Sequence, residues 1–286
     1  MSGSRGGDVP KKLDSQVFLI TGASSGIGEA LALEVGSRGA RVALLARRAE
    51  RLEGLAEKIR AGGGQALALA ADVTRDGDIE AAVARTVDSF GRVDVAVANA
   101  GFGVVGPLAR LELDDYRRQM ETNFFGVLRT IYATVDQLKS TRGVLALIGS
   151  VNSYVGLPGT SAYVASKFAV RGLAEAITDE LRPFGVAVVQ IYPGFVESEG
   201  RSVDNHGRVT DAVDPVPAWL VMPRATAARR IARAIAARRR ELVLTGHGKA
   251  GVLVARHAPW LLHMTTRIAS RTQTRRSLAA RSAADP

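Results

Sequence analysis

Short apolar runs alternate with helical stretches of 10–15 residues along most of this chain, and that alternation leaves very few folds open. Residues 16–21 form a β-branched, apolar run that reads as a buried strand. It passes directly into Gly22-Ala23-Ser24-Ser25-Gly26-Ile27-Gly28, and helical spacing follows from about residue 29 to the stop at Gly39. Further strands are expected at 41–46, 65–70, 93–98, 143–150 and 186–192, with helices over 50–60, 76–90, 111–139 and 161–182 between them. Strands that alternate with single helices build right-handed βαβ units, which means an α/β fold around a parallel sheet.

The first strand–turn–helix carries its own chemistry. Glycines let the backbone approach a pyrophosphate closely, and a helix N-terminus presents unpaired N–H groups to it. The spacing is G-x-x-x-G-x-G, which alone also describes a plain tight turn; its place between a strand and a helix points to a dinucleotide site. An acid at the end of the second strand would bond the ribose 2′-hydroxyl of NAD(H), but the residues there are Ala46-Arg47-Arg48. Two guanidiniums suit a 2′-phosphate, so NADP(H) is expected ahead of NAD(H); the alternative is a pair of solvated arginines at a helix start.

Gly22, Asn99, Ser150, Tyr163 and Pro193 fall at or just past the C-terminal ends of predicted strands, the edge where open α/β sheets bind ligands. Within Ser161-Ala162-Tyr163-Val164-Ala165-Ser166-Lys167, Tyr163 and Lys167 are four apart and share a helix face. A free phenol has a pKa of about 10. A neighbouring ammonium favours the phenolate, so the pair is expected to act as a tuned proton donor and acceptor. Taken alone, the heptapeptide reads first as an ordinary amphipathic helix, and only its surroundings favour the chemistry. Asn123 sits inside a long predicted helix, where Asn is a modest helix former.

Composition removes other chemistries. The 286 residues include no cysteine, so disulfides, thiolate metal sites and cysteine nucleophiles are excluded. The four histidines are scattered without ligand spacing, and no metal is expected. There is no leading apolar run and no stretch of about 18 apolar residues, which predicts a cytoplasmic location. The net charge of +10 is uneven: residues 224–286 hold 14 Lys and Arg against two acids, leaving residues 1–223 at −2.

Several separate motifs, in order over roughly residues 14–245, resemble the short-chain dehydrogenase/reductase family: Thr21-Gly-Ala-Ser-Ser-Gly26-Ile-Gly28, Asp72, Asn99-Ala-Gly101, the set Asn123, Ser150, Tyr163 and Lys167, and Pro193-Gly194-Phe195-Val196. The resemblance implies a doubly wound, Rossmann-like parallel sheet with helices on both faces. It implies an oxidoreductase that interconverts a carbonyl and a secondary alcohol on a small molecule. Tyr163 is then the general acid or base, Lys167 lowers its pKa and holds the nicotinamide ribose, Ser150 polarises the substrate oxygen, and Asn123 supports a water that feeds protons toward Lys167. The cofactor falls to Gly22, Ser24, Ser25, Gly26, Ile27, Gly28, Arg47, Arg48, Asp72, Val73, Asn99, Ala100, Gly101, Tyr163, Lys167, Pro193, Gly194, Val196 and Ser198. A homodimer or homotetramer is implied through the two long helices around Asn123 and Tyr163. The departures are Ala98 and Gly149, both expected to matter little, and Glu197 beside Ser198.

The remaining organisation is a flexible leader over 1–13, a single catalytic domain over 14–245 with a variable lid at about 196–223, and a basic, partly apolar helical extension over 246–286. Apolar residues of the lid, with Phe102, Val104, Tyr154, Leu157 and Phe195, suggest walls for an apolar or amphipathic substrate. The alternative is that they pack on the domain or a partner subunit. The extension is expected to pack on its own subunit or a dimer partner, with peripheral contact to an anionic membrane as the second reading and nucleic acid as a remote third. A non-catalytic dinucleotide-binding protein of the same fold is the competing functional class.

Overall fold

The computed structural model describes residues 13–198 and 216–261. The expected leader apart from Leu13, the polar half of the expected lid, and the arginine-rich end of the extension lie outside the described residues. Seven strands run β1 (Val17–Thr21), β2 (Arg41–Ala46), β3 (Gln65–Ala70), β4 (Val95–Ala98), β5 (Val144–Ile148), β6 (Ala187–Tyr192) and β7 (Glu241–Val243). They form one parallel sheet in the order β3-β2-β1-β4-β5-β6-β7. The chain winds outward from β1 in one direction and from β4 in the other, so their following loops part and leave a crevice at the strand ends.

Both faces of the sheet are covered, which is why the strands read as unbroken apolar runs. Phe18, Ile20, Val42 and Leu44 pack with α1 (Gly26–Gly36), α2 (Ala49–Ala61) and α7 (Arg224–Ala236). Their neighbours Leu19, Ala43 and Leu45 point the other way, toward α3 (Asp78–Phe90), α5 (Gly126–Thr141) and α6 (Ser161–Leu181). Period-two alternation thus divides one strand between two cores.

Two boundaries differ from the sequence reading, and both matter at the crevice. Helix α1 begins at Gly26 rather than near residue 29, so Gly26-Ile27-Gly28 form its first turn. The single helix expected over 111–139 is instead α4 (Leu113–Met120), a π turn (Glu121–Phe125) and α5. The N–H of Gly126 bonds the carbonyl of Glu121, five residues back, which lodges one extra residue in the turn that carries Asn123. The side chain of Asn123 is fully buried and bonded to the chain after β4, so tertiary contacts override helical spacing there. Past β7, α8 (Gly246–His257) packs on the 3-10 turn Val151–Ser153, with Val252 against Tyr154 and Tyr192.

Candidate active site

Thr21 ties the strand ends together at the crevice. Its hydroxyl donates to the Val97 carbonyl at 3.3 Å and accepts the N–H groups of Asn99 at 3.0 Å and Ala100 at 3.1 Å. Asn99 answers with its amide, which donates to the carbonyls of Thr21 at 2.8 Å and Gly22 at 3.1 Å. Gly22 takes φ +66°, and a Cβ there would stand 2.7 Å from the Ala100 Cα. Only glycine lets the turn lie this close to β4 in that backbone region.

The turn delivers the chain to the N-terminus of α1. Ser25 is the N-cap, with extended backbone and no side-chain cap. Its hydroxyl instead accepts Arg48 Nη2 at 3.0 Å. The first N–H groups of α1 are therefore not capped by this side chain and suit an anionic ligand. Arg48 also donates to the Ser24 hydroxyl, from Nε at 3.2 Å and Nη2 at 2.9 Å. The two arginines expected to act alike are thus divided: Arg48 braces the loop, whereas Arg47 stands exposed on the cleft wall.

Asp72 follows β3 on the same wall. Burial alone would raise its carboxyl, but the N–H and hydroxyl of Thr74, at 3.0 and 2.8 Å, and the charges of Arg47 and Arg75 outweigh it and hold the group below the usual range. Across the crevice, Asn123 reaches the segment after β4. Its Oδ1 accepts the Phe102 N–H at 3.1 Å, and its amide donates to the Phe102 carbonyl at 3.0 Å and the Ser166 hydroxyl at 3.1 Å. Gln119 makes a second clamp that the sequence reading missed: it accepts the Val104 N–H at 2.6 Å and donates to the Phe102 carbonyl at 2.8 Å. Its one signal in the sequence is that it lies one helical turn before Asn123.

Ser150 leaves β5 as the N-cap of the Val151–Ser153 turn and accepts the Asn152 N–H at 3.1 Å. Its hydroxyl lies near enough to the phenol of Tyr163 to favour the phenolate. Burial raises the Tyr163 phenol, and the Ser150 hydroxyl opposes that rise. The expected lowering by Lys167 is not what this geometry gives. The ammonium lies 5.8 Å from the Tyr163 ring centroid and donates to the Ile148 carbonyl at 2.9 Å. Burial depresses Lys167 itself to about 8.

These groups line one open cleft of about 1300 Å³. Every residue expected at the cofactor reaches its wall except Gly28, which is buried within the first turn of α1. Of the four expected catalytic residues, Ser150, Tyr163 and Lys167 are on the wall and Asn123 lies behind it. The cradle at Gly22, the N-terminus of α1 and the cations beside β2 fit a dinucleotide. Four expected substrate walls are not on the cleft: Val104 is buried with no exposure, Tyr154 is drawn into a cluster behind the cleft, and Leu157 and Phe195 are exposed away from its lining, Phe195 against His247. Phe102 does line it. Gly149 proves demanding, since a Cβ there would meet the Tyr192 ring at 2.9 Å. Glu197 turns away to α7, where Oε2 accepts the Arg224 N–H at 3.4 Å.

The chain is 35% identical over 190 residues to an uncharacterized oxidoreductase of Listeria monocytogenes, an alignment covering 65% of this chain and 77% of that protein. It is 38% identical over 186 residues to 11-beta-hydroxysteroid dehydrogenase A of Sesamum indicum, covering 64% of this chain but only 53% of its relative. Among solved structures, the alcohol dehydrogenase of the archaeon Thermococcus sibiricus complexed with 5-hydroxy-NADP is 30% identical, with a TM-score of 0.71 over 80% of this chain and 96% of that one. Residues 16–208 match the family model described as short chain dehydrogenase, which spans the cradle, the Ser150–Tyr163 pair and the Pro193 turn, and the chain belongs to that family.

Proposed function

We propose that this protein is an NADP(H)-dependent oxidoreductase that interconverts an apolar or amphipathic ketone and its secondary alcohol. The observation that carries this reading is that Ser150, Tyr163 and Lys167 stand together on the wall of the same cleft as the Gly22 turn and the N-terminus of α1. The cofactor, when bound, supplies or accepts the hydride. Its diphosphate is assigned to the Gly22–Gly28 turn, its adenine to Asp72 and Val73, and its 2′-phosphate to Arg47.

In the reducing direction Ser150 donates to the carbonyl oxygen and polarises it. Tyr163 gives its phenolic proton to that oxygen as negative charge develops, and in oxidation it takes the proton back. A raised phenol remains protonated at neutral pH, which suits the acid role. Lys167 supplies positive charge near the phenolate formed by that transfer, and Asn123 holds the Phe102 segment and Ser166 in register with α6. An apolar substrate is supported by Phe102 on the wall. It also agrees with the hydroxysteroid named for the sesame relative.

The exposed aromatics Phe125, Tyr132 and Phe168 support a homo-oligomer packed through α5 and α6. Lys249, Leu253 and Trp260 on the outer side of the C-terminal segment support a peripheral contact with anionic lipid. Salt-sensitive binding to anionic vesicles tests that contact. No described helix is long and apolar enough to cross a membrane. The function itself is tested by following NADPH absorbance against a panel of ketones and alcohols. Turnover of apolar members is the expected result, and absence of any hydride transfer overturns the reading.

A further inference from the structure

Ser150 and the Pro193 turn face the cleft from two different strands, and both rest on the same pair of buried rings. Tyr192, which immediately precedes Pro193, lies under Gly149. Its ring stands edge-on to Tyr154, with centroids 4.9 Å apart at 73°. Tyr154 closes the short turn that Ser150 opens. The two rings therefore join the Ser150 loop to the Pro193 turn from behind the cleft.

Helix α8 closes this assembly at both of its ends. Near its C-terminus, Arg256 Nη2 donates to the Tyr154 hydroxyl oxygen at 2.6 Å and pairs with Glu241 Oε2. The Tyr154 hydroxyl in turn donates to the same carboxylate oxygen at 3.0 Å. Guanidinium, phenol and carboxylate form a closed triangle in which each donor has an acceptor. The Tyr154 ring also carries two guanidinium contacts, Arg171 at 3.9 Å and Arg256 at 4.8 Å from its centroid. At the N-terminus of α8, a Cβ on Gly194 would stand 2.3 Å from Thr245 Oγ1 and 2.6 Å from His247 Nε2. The Pro193 turn is thus seated directly on the start of the helix.

We infer that α8 is a brace for the reaction site and that Arg256, acting through Tyr154 and Glu241, is a positioning residue for Ser150 and the Pro193-Gly194 turn. This inference rests on the oxidoreductase reading above. Arg256 touches no reacting group; it fixes the spacing between the serine that polarises the substrate oxygen and the turn expected along the nicotinamide. Small displacements of positioned groups cost rate out of proportion to their size. The brace should therefore appear in kcat rather than in cofactor affinity.

The test compares full-length wild type with Arg256→Met, Arg256→Lys and Tyr154→Phe. It measures kcat, KM, NADPH Kd, Tm and the deuterium isotope effect with 4-deuterated NADPH, on a ketone that the wild type reduces. For Arg256→Met, kcat should fall about ten-fold and the isotope effect should change, with NADPH Kd within about two-fold of wild type. Arg256→Lys restores the charge but not the planar guanidinium against the Tyr154 ring and should recover only part of kcat. If Arg256→Met does not fold, Tyr154→Phe, which deletes one oxygen, carries the same test with a kcat loss of about three-fold. Folded variants with lowered Tm but unchanged kcat and isotope effect would overturn the positioning role. A wild type that transfers hydride to no ketone overturns instead the oxidoreductase reading on which it rests.

Discussion

The two sides of the cleft are built by different means. On the cofactor side, a short backbone turn, one threonine and one asparagine knit β1 to β4, and nearly every group comes from a strand end or the few residues after it. On the substrate side, Lys167 and Tyr154, at the end of the Ser150 turn, are held by long-range side-chain contacts that cross from β5 to α6, β7 and α8. The first side is knit locally, by a glycine turn and by two side chains at neighbouring strand ends. The second side depends on side-chain chemistry, so single substitutions should act there on rate and on the first side mainly on affinity.

The largest expected break in that comparison is Tyr163→Phe. Loss of a positioned general acid costs about 10²–10⁴-fold in rate. Hydride transfer should fall into that range while NADPH binding, followed by fluorescence titration, stays within a few-fold. Turnover at the wild-type rate would remove Tyr163 from the chemistry and with it the contrast between the two sides. On the cofactor side, Arg47→Ala should weaken NADPH binding by about 10–100-fold, the range for a charge-assisted bond, and leave NADH nearly unchanged. Equal losses for both cofactors would rule out a 2′-phosphate contact. Arg48→Ala serves as the control: it loosens the Ser24-Ser25 loop and should weaken both cofactors together.

Lys167 gives the substrate side its own pH signature. Burial lowers it to about 8, so the ammonium that supports the phenolate is lost as pH rises through that value. The reducing rate should fall about ten-fold between pH 7 and 9, as expected for the protonated fraction of a single group. Stability should move the opposite way. The unfolded lysine holds its proton up to about 10.4, so between about pH 8 and that value the unfolded state binds more protons and this group's contribution rises with pH. Below about pH 8 both states are protonated and its burial cost is fully present. Lys167→Met should flatten the stability change in a pH series of denaturant unfolding; an unaltered slope would show that another group is responsible.

The same division explains what the sequence reveals. The sheet, its order of elements and the cofactor turn are legible because each depends on local patterns: apolar runs, strand-end polar residues, and glycines between a strand and a helix. The break at Glu121–Phe125 is not, because it follows from Asn123 and Gln119 grasping the Phe102–Val104 segment, and their spacing alone looks helical. The position of Tyr154 is not legible either. An aromatic just after the Ser150 turn reads as a cleft wall until Arg256, a hundred residues later, is seen to bond it. The lowered Tyr163 phenol expected from its lysine neighbour failed for a related reason. Helical spacing brings the two residues to one face, but the ammonium is directed to the Ile148 carbonyl.

The smallest effect is expected where the sequence looked most unusual. Glu197 sits between Val196 and Ser198, both on the cleft wall, and a carboxylate there could repel a cofactor diphosphate or act on the substrate. The structure points its carboxylate at the backbone N–H of Arg224 at the start of α7, at 3.4 Å, while its own N–H bonds the Met222 carbonyl at 3.0 Å. Arg224 meanwhile pairs with Glu29 in the first turn of α1 at 2.9 Å. Glu197 therefore belongs to a surface splice between α1, α7 and the start of the lid, where an exposed charge is worth about 0–1 kcal/mol. Glu197→Gln keeps an acceptor oxygen at that position and removes the charge. NADPH Kd and kcat should stay within about two-fold, because the Glu197 backbone bond and the Arg224–Glu29 pair are left in place. A ten-fold change in either constant would mean that the carboxylate reaches into the cleft during turnover, and the substrate side would then carry a charged group that this geometry directs away from it.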